Sequence, residues 1–488
     1  MLKGLFFNQD CTDFFYSRGP EQMNSEAVDA FVDRLASLGV TALLVNTNAQ
    51  RTNYASEVWE PLWTGYDPTG PDDQPVLKHQ PAEGVAAMRR LLNNMLALVA
   101  KDVDYPARMI ARCRVRGVQG WISLRMNDLH DVHLPDSPLL STFWKQHPEL
   151  RRVPYRDSGW TDRALDYAHP EVRDHYMVLI RESLARFDPD GLELDFMRFG
   201  YHFAIGHERD GGVLLTRWLS EVRDLVLDWE RRRGHPISLG VRVPADPITS
   251  RELGMDAVVW AREGLCDLVV PTPFWTTCDF DLPLELWRDL LEGTSASLGG
   301  GLECRLQPYP GAPARLLKPD EARGAATHVW AAGTDVLYLF NYFESGHFGG
   351  LWTEQDYTET LRAMGSLDGL TSLPRTHCVT FRDTSAPGYP VAYSLPAEGP
   401  VCIFRLQTGP RPTGGKAEVV LGLEMPEGAK PPRVRVNAHL CEEGTLADHS
   451  LRVPVPLEVL RDCITVFEVE SAGPSYPRII SVAVTFTP

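Results

Sequence analysis

The sequence predicts an α/β fold, a (β/α)8 barrel with a C-terminal all-β sandwich. Three observations carry this reading. Over roughly the first 370 residues, short apolar runs alternate with amphipathic helical stretches, the pattern of repeated βα units. Eight such runs occur in that length, the number that closes a barrel of the TIM type. From about Leu373 the helical period is lost, and β-rich runs separated by Pro and Gly clusters replace it.

The eight runs are Leu2–Asn8, Thr41–Asn46, Val118–Met126, Gly191–Phe196, Ile237–Val243, Leu265–Pro271, Ser297–Leu306 and Asp335–Asn341. Helix-like stretches such as Ser25–Leu38 and Val213–Arg233 lie between them. The rival fold is an open doubly wound sheet, which needs a Gly-rich turn after an early strand. The first run is followed instead by Asn8-Gln9-Asp10-Cys11-Thr12-Asp13, and Gly299-Gly300-Gly301 reads as a loop before a strand rather than a phosphate cradle. Residues 1–370 are thus assigned to the barrel and 371–488 to the sandwich, whose strands are expected at Val401–Leu406, Ala417–Leu423, Arg433–Leu440, Ile464–Val469 and Ile479–Phe486. The segment Gly409–Gly415 reads as an exposed loop.

Composition excludes several function classes. Lys and Arg number 48 against 65 Asp and Glu, a net charge of −17 that repels phosphate backbones and argues against nucleic-acid binding. No apolar run approaches the roughly 20 residues that span a bilayer. The opening MLKGLFFNQDCTDFF lacks a signal-peptide pattern, so the chain as given is expected to be cytoplasmic, or secreted if an export signal has been trimmed away. The nine Cys include no CxxC and no short zinc spacing, which points away from a disulfide framework and a Cys-type zinc site. No cofactor is expected, and a homo-oligomer is admitted.

Strand parity then becomes a site prediction, because residues alternating inward fill a barrel and those at the C-terminal strand ends line its mouth. In the fourth run Leu192, Leu194 and Phe196 face the helices, which turns Glu193 and Asp195 inward, where an ionised carboxylate is costly unless paired. The same parity turns in Asn8, Asn46, Arg125 and Asn127, Arg242, Glu303 and Arg305, and Asn341. Three acids therefore oppose three arginines, with Arg198 just beyond the fourth run. A near-neutral buried network explains that balance but not the clustering at strand ends.

The string DGLELDFMRF, Asp190–Phe199, resembles the DG-[IL]-x-[LF]-D-x-x-R-[YF] strand of the family-10-like glycosyl hydrolases. Phe143–Leu150 and Leu165–Arg173 are similar to stretches of the same barrels, and the resemblance spans about residues 1–370. It implies a barrel acting on carbohydrate and leaves the acid and the nucleophile unassigned. The fourth run also resembles the DGxDxDxE strand of chitinase-type barrels, but Met197 stands where their acid would be, and a thioether cannot protonate a leaving group.

Glycoside cleavage ordinarily needs one protonated and one ionised carboxyl. The expected pair is Asp195, kept ionised beside Arg198 as nucleophile or base, and Glu303 across the mouth as acid. Glu193 competes but lies deeper, and is expected to orient Arg125 or Arg242. In the loop after the third run, His130 and His133 with Asp128 and His202 read either as metal ligands or as hydrogen-bonding groups over a sugar. Barrel metallohydrolases commonly bring an HxH pair on the first strand, which is absent here, so no metal is expected. Sugar faces stack on aromatic rings. Trp59, Trp63, Trp144, Trp160, Tyr201, Trp275, Tyr342 and Trp352 follow strands or occupy insertions, Trp275 and Tyr342 being best placed.

The function expected is a glycoside hydrolase acting on an oligo- or polysaccharide, anionic if the arginines outnumber the acids that consume them. The substrate contacts are expected from Asn8, Asn46, Arg125, Asn127, Asp128, His130, Arg198, Tyr201, His202, Arg242, Trp275, Arg305, Asn341 and Tyr342. The alternatives are a non-catalytic carbohydrate-binding barrel and a lyase or metal-dependent hydrolase using the His130 loop.

Overall fold

The computed structural model describes residues 1–78, 80–342, 352–473 and 475–488. Its first part contains the strands β1 (Gly4–Gln9), β2 (Val40–Asn46), β3 (Gln119–Arg125), β4 (Gly191–Asp195), β5 (Ser238–Pro244), β6 (Leu268–Thr272) and β7 (Ser297–Glu303). A short hairpin follows, β8 (Arg305–Leu306) with β9 (Arg315–Leu316), and then β10 (Val336–Phe340). Strands β1 to β7 and β10 form a closed barrel, every pairing parallel, with β10 inserted between β7 and β1. The predicted run Ser297–Leu306 is therefore two elements, the barrel strand and the first arm of the hairpin.

The barrel interior is apolar below and polar above. Phe6, Ala42, Leu44, Trp121, Leu268, Val270, Val336, Tyr338 and Phe340 form a cluster separate from the larger core between strands and helices. Trp121 plugs its lower part and requires small neighbours: a Cβ on Gly191 would lie 2.3 Å from the indole. The glycines 299–301 sit inside β7, correcting their reading as a loop. A Cβ on Gly301 would meet Thr272 Oγ1 at 2.4 Å, and one on Gly300 would meet Val329 at 2.6 Å, so side chains from β6 and the following helix occupy the space. Toward the C-terminal ends the pairing register brings Arg125, Asp195 and Arg242 side by side, and Glu303 beside Phe340.

The surrounding helices follow ordinary capping chemistry. In the helix Tyr105–Arg116, Asp104 accepts from the Ala107 N–H, Pro106 occupies the first turn, and Gly117 at φ 68° ends it, while Met109, Ile110 and Cys113 are buried. No helix among the described residues is long and apolar enough to cross a membrane.

The C-terminal part consists of two antiparallel sheets. Its strands are β11 (Arg375–Cys378), β12 (Val401–Gly409), β13 (Lys416–Glu424), β14 (Arg433–Val436), β15 (His439–Leu440), β16 (Thr445–Ala447), β17 (Ser450–Val455), β18 (Cys463–Glu470) and β19 (Arg478–Thr487). One sheet runs β11-β19-β13-β17-β16 and the other β12-β18-β14-β15. The run predicted as Arg433–Leu440 turns at Asn437 and Ala438, both at positive φ, and becomes the hairpin β14–β15. The sheets dock tightly on the barrel: a Cβ on Gly324, in the helix Pro319–Ala331, would stand 2.0 Å from the Thr376 carbonyl oxygen.

Candidate active site

A cavity of about 850 Å³ opens at the C-terminal ends of the barrel strands. Among the residues expected at the site, His130, Arg198, Trp275, Glu303, Arg305 and Asn341 line it. Asp10, Thr12, Asp131, His133, Trp160, Phe199 and Arg315 line it as well.

Glu303 is the last residue of β7. Its Oε1 accepts from the Cys304 N–H at 3.1 Å, and its buried Oε2 has no hydrogen-bond partner among the described residues. Burial pushes its carboxyl up to about 7, against the opposing charges of Arg242 and Arg198. It can therefore hold a proton near neutral pH at the cavity wall.

Asp10 has the opposite character. It follows β1 directly and caps the helix Cys11–Ser17, accepting from Thr12 N at 3.0 Å and Thr12 Oγ1 at 2.8 Å, and it is ion-paired with Arg125. Burial opposes its ionisation, but Arg125 and the Thr12 N–H outweigh burial and hold its carboxyl well below the usual range. Parity reasoning missed it because it sits one residue beyond the strand. The legible signal was the Asp-x-Thr cap in Asp10-Cys11-Thr12.

Arg125 also reaches Asp128 Oδ2 at 3.2 Å, and Asp128 receives His130 Nδ1 at 2.8 Å. His130 Nε2 lies 2.8 Å from Arg198 Nη2. Since a guanidinium only donates, Nε2 is the acceptor and Nδ1 carries the hydrogen shared with Asp128. Arg198 thus leans on an imidazole, with no carboxylate at ion-pair distance among the described residues. Burial and the charge of Arg125 lower it to about 10. Arg305 lies with its guanidinium 5.0 Å from the centre of the Trp275 ring.

The expected nucleophile is sealed off. Arg242 Nη1 stands 3.1 Å from both oxygens of Asp195, whose Oδ1 also accepts the Met197 and Arg198 N–H groups at 3.0 and 2.9 Å. Asp195 and Glu303 are alike 1% exposed, but Glu303 lines the cavity and Asp195 and Arg242 do not. Glu193, one step deeper, accepts from Asn8 Nδ2, Ser123 Oγ and Tyr338 Oη at 3.0, 2.8 and 2.7 Å, and burial with the Asp195 charge pushes it up to about 7. It holds these groups rather than orienting Arg125 or Arg242 by hydrogen bonds.

Other expected contacts are likewise consumed by the fold, because the loops over the barrel bury backbone groups that need partners. Asn46 donates to the Asn48 and Ser123 carbonyls. Asn127 donates to those of Leu165 and Tyr201 and accepts from Leu165 N–H. His202 is buried with Nε2 3.0 Å from the Phe196 carbonyl, Tyr342 is buried with its hydroxyl on the Glu303 carbonyl, and Tyr201 lies under the Arg152 guanidinium. None of these five lines the cavity, nor do Asn8, Arg125 and Asp128. Among the described residues no three His, Cys, Asp or Glu side chains are grouped to hold a metal ion.

The C-terminal part touches, through Asp383, the loop that carries Trp275. Its carboxylate accepts from three successive backbone N–H groups, of Phe274, Trp275 and Thr276, at 2.8, 3.0 and 2.8 Å. This fixes the loop that presents Trp275. Trp160 lies parallel to Phe274 with ring centres 5.7 Å apart.

No protein-family model matches the chain, and no curated protein matches it in sequence. Solved structures of similar fold include a noncanonic maltogenic α-amylase from Thermotoga neapolitana, at 11% identity over 98% of each chain with a TM-score of 0.40. An Anoxybacillus α-amylase is similar at 11% identity over 96% of this chain and 98% of its own, TM-score 0.42. An α-L-fucosidase isoenzyme from Paenibacillus thiaminolyticus is similar at 13% identity over 97% of each, TM-score 0.37. The chemistry of this chain is read from its own side chains.

Proposed function

We propose that the protein is a glycoside hydrolase in which Glu303 is the general acid. The observation that carries this reading is a buried carboxyl on the wall of a cavity of about 850 Å³, pushed up to about 7 and with one oxygen unpartnered among the described residues. Asp10, on the wall of the same cavity and kept ionised by Arg125, supplies the second carboxyl in place of Asp195. Two carboxyls with pKa values driven apart are what cleavage of a glycosidic bond requires.

In this reaction Glu303 gives its proton to the glycosidic oxygen as the bond to the anomeric carbon breaks, and the leaving sugar departs as an alcohol. The Asp10 carboxylate faces the positive charge that develops on the ring. Water adds to the anomeric carbon, and its surplus proton passes to a carboxylate, restoring the starting state. Trp275, Trp160 and Phe199 offer ring faces for stacking, and Asn341 offers its amide to hydroxyls.

Reducing-sugar release from a panel of glycans tests the reading. Hydrolysis by the wild type, lost in folded Glu303→Gln and Asp10→Asn variants, is the expected result. Unimpaired hydrolysis in both variants would remove this site from the reaction, and binding with no hydrolysis of any glycan would favour a carbohydrate-binding barrel.

A further inference from the structure

We propose that the cavity selects a sugar bearing a negative substituent, a carboxylate or a sulfate, and that Arg198 and Arg305 receive it. This rests on the carbohydrate reading above but not on turnover. The arginines of the barrel mouth divide into two groups. Arg242 is matched by Asp195, Arg125 by Asp10 and Asp128, and Arg315 holds Glu321 through two hydrogen bonds of 2.7 and 2.6 Å. Arg198 and Arg305 line the same cavity with no carboxylate at ion-pair distance among the described residues.

Their surroundings keep both charges available. Arg198 is 8% exposed, its Nη2 donates to His130 Nε2, and its buried Nε has no hydrogen-bond partner. A buried guanidinium whose closest polar partner is an imidazole gains more from an arriving anion than one already paired. The rings of Phe199 and Phe340 hold it in place at 5.3 and 5.5 Å. The Arg305 guanidinium lies 5.0 Å from the centre of the Trp275 ring, so an anion received by Arg305 would lie beside a ring able to stack on the same sugar.

The acids of the wall act on Arg198 only from beyond ion-pair distance, and two of them have nearer partners of their own. Asp10 is engaged by Arg125 and Thr12, and Asp131 Oδ2 accepts from Ser137 Oγ at 2.7 Å and Gln80 Nε2 at 3.4 Å. Glu303, the third acid of the wall, is the proton donor and is uncharged when it acts.

Titration calorimetry on the Glu303→Gln protein separates recognition from cleavage. The probes are a glucuronate-containing oligosaccharide, its neutral glucose counterpart and a sulfated glucose counterpart. We expect at least one charged probe to bind about tenfold or more tightly than the neutral one, the effect of a charge-assisted hydrogen bond, with the preference shrinking as salt is added. The stronger of the two charged arms identifies the substituent. Arg305→Gln, at a half-buried position, should abolish most of the preference, and Arg198→Gln the remainder, with circular dichroism confirming that each stays folded. Equal affinity for charged and neutral probes, a preference untouched by both substitutions, or no binding of any probe would overturn the proposal. Charge-selective binding by a protein whose wild type hydrolyses none of the three would leave this inference standing and remove the hydrolase reading.

Discussion

Arg242 Nη1 stands 3.1 Å from each oxygen of Asp195, and both residues are buried. Unlike Asp10, which is also paired with an arginine, this carboxylate does not line the cavity. Removing one partner leaves the other charge buried without compensation, so Asp195→Ala should cost about 3–5 kcal/mol of stability in chemical denaturation. A stable Asp195→Ala protein that had lost only turnover would return Asp195 to the catalytic role expected from sequence.

The pH profile should have a limb set by Glu303. Its carboxyl is protonated below about 7 and ionised above, and the acid form is the active one. The rate constant kcat/KM should therefore fall by about tenfold per unit above pH 7. Asp10, held well below the usual carboxylate range, should add no limb between that range and neutrality. A rate rising through pH 7 would assign Glu303 the opposite role.

Asp383 should act at a distance through the Trp275 loop. Asp383→Ala removes the acceptor of three backbone N–H groups. Roughly a tenfold rise in KM with little change in kcat is expected, the loss of hydrogen bonds to a charged acceptor. The single substitution Trp275→Ala should raise KM as well, and the double variant should add little to it. A fall in kcat alone would place Asp383 in the chemical step.

The plug of the barrel should be intolerant of added volume. Gly191→Ala would bring a methyl against Trp121, which is fully buried, and should cost about 1–3 kcal/mol in thermal or denaturant unfolding. A neutral effect would mean that the indole has room to move.

Most of the barrel was legible because strands buried on both faces read as apolar runs and parity survives folding. All eight runs correspond to barrel strands, and Glu193, Asp195, Arg125, Arg242 and Glu303 do turn inward. Parity, however, gives direction and not depth. It could not tell that Asp195 is roofed by the amides of its own loop while Glu303 lines the cavity. Nor does it extend past a strand, which is why Asp10 escaped notice. Asn127, Tyr201 and His202 illustrate a second limit, since long loops fold over one another and spend polar side chains on backbone groups. The glycines of β7 look like a loop until Thr272 and Val329 are placed beside them.

The central claim is that Glu303 protonates the leaving group, and leaving-group dependence tests it most directly. Glu303→Gln should lower kcat/KM for a glycan or alkyl glycoside by about 10²–10⁴-fold, yet barely affect a dinitrophenyl glycoside, whose departing phenolate needs no proton. Equal losses on both substrates, or no loss on either, would contradict the account.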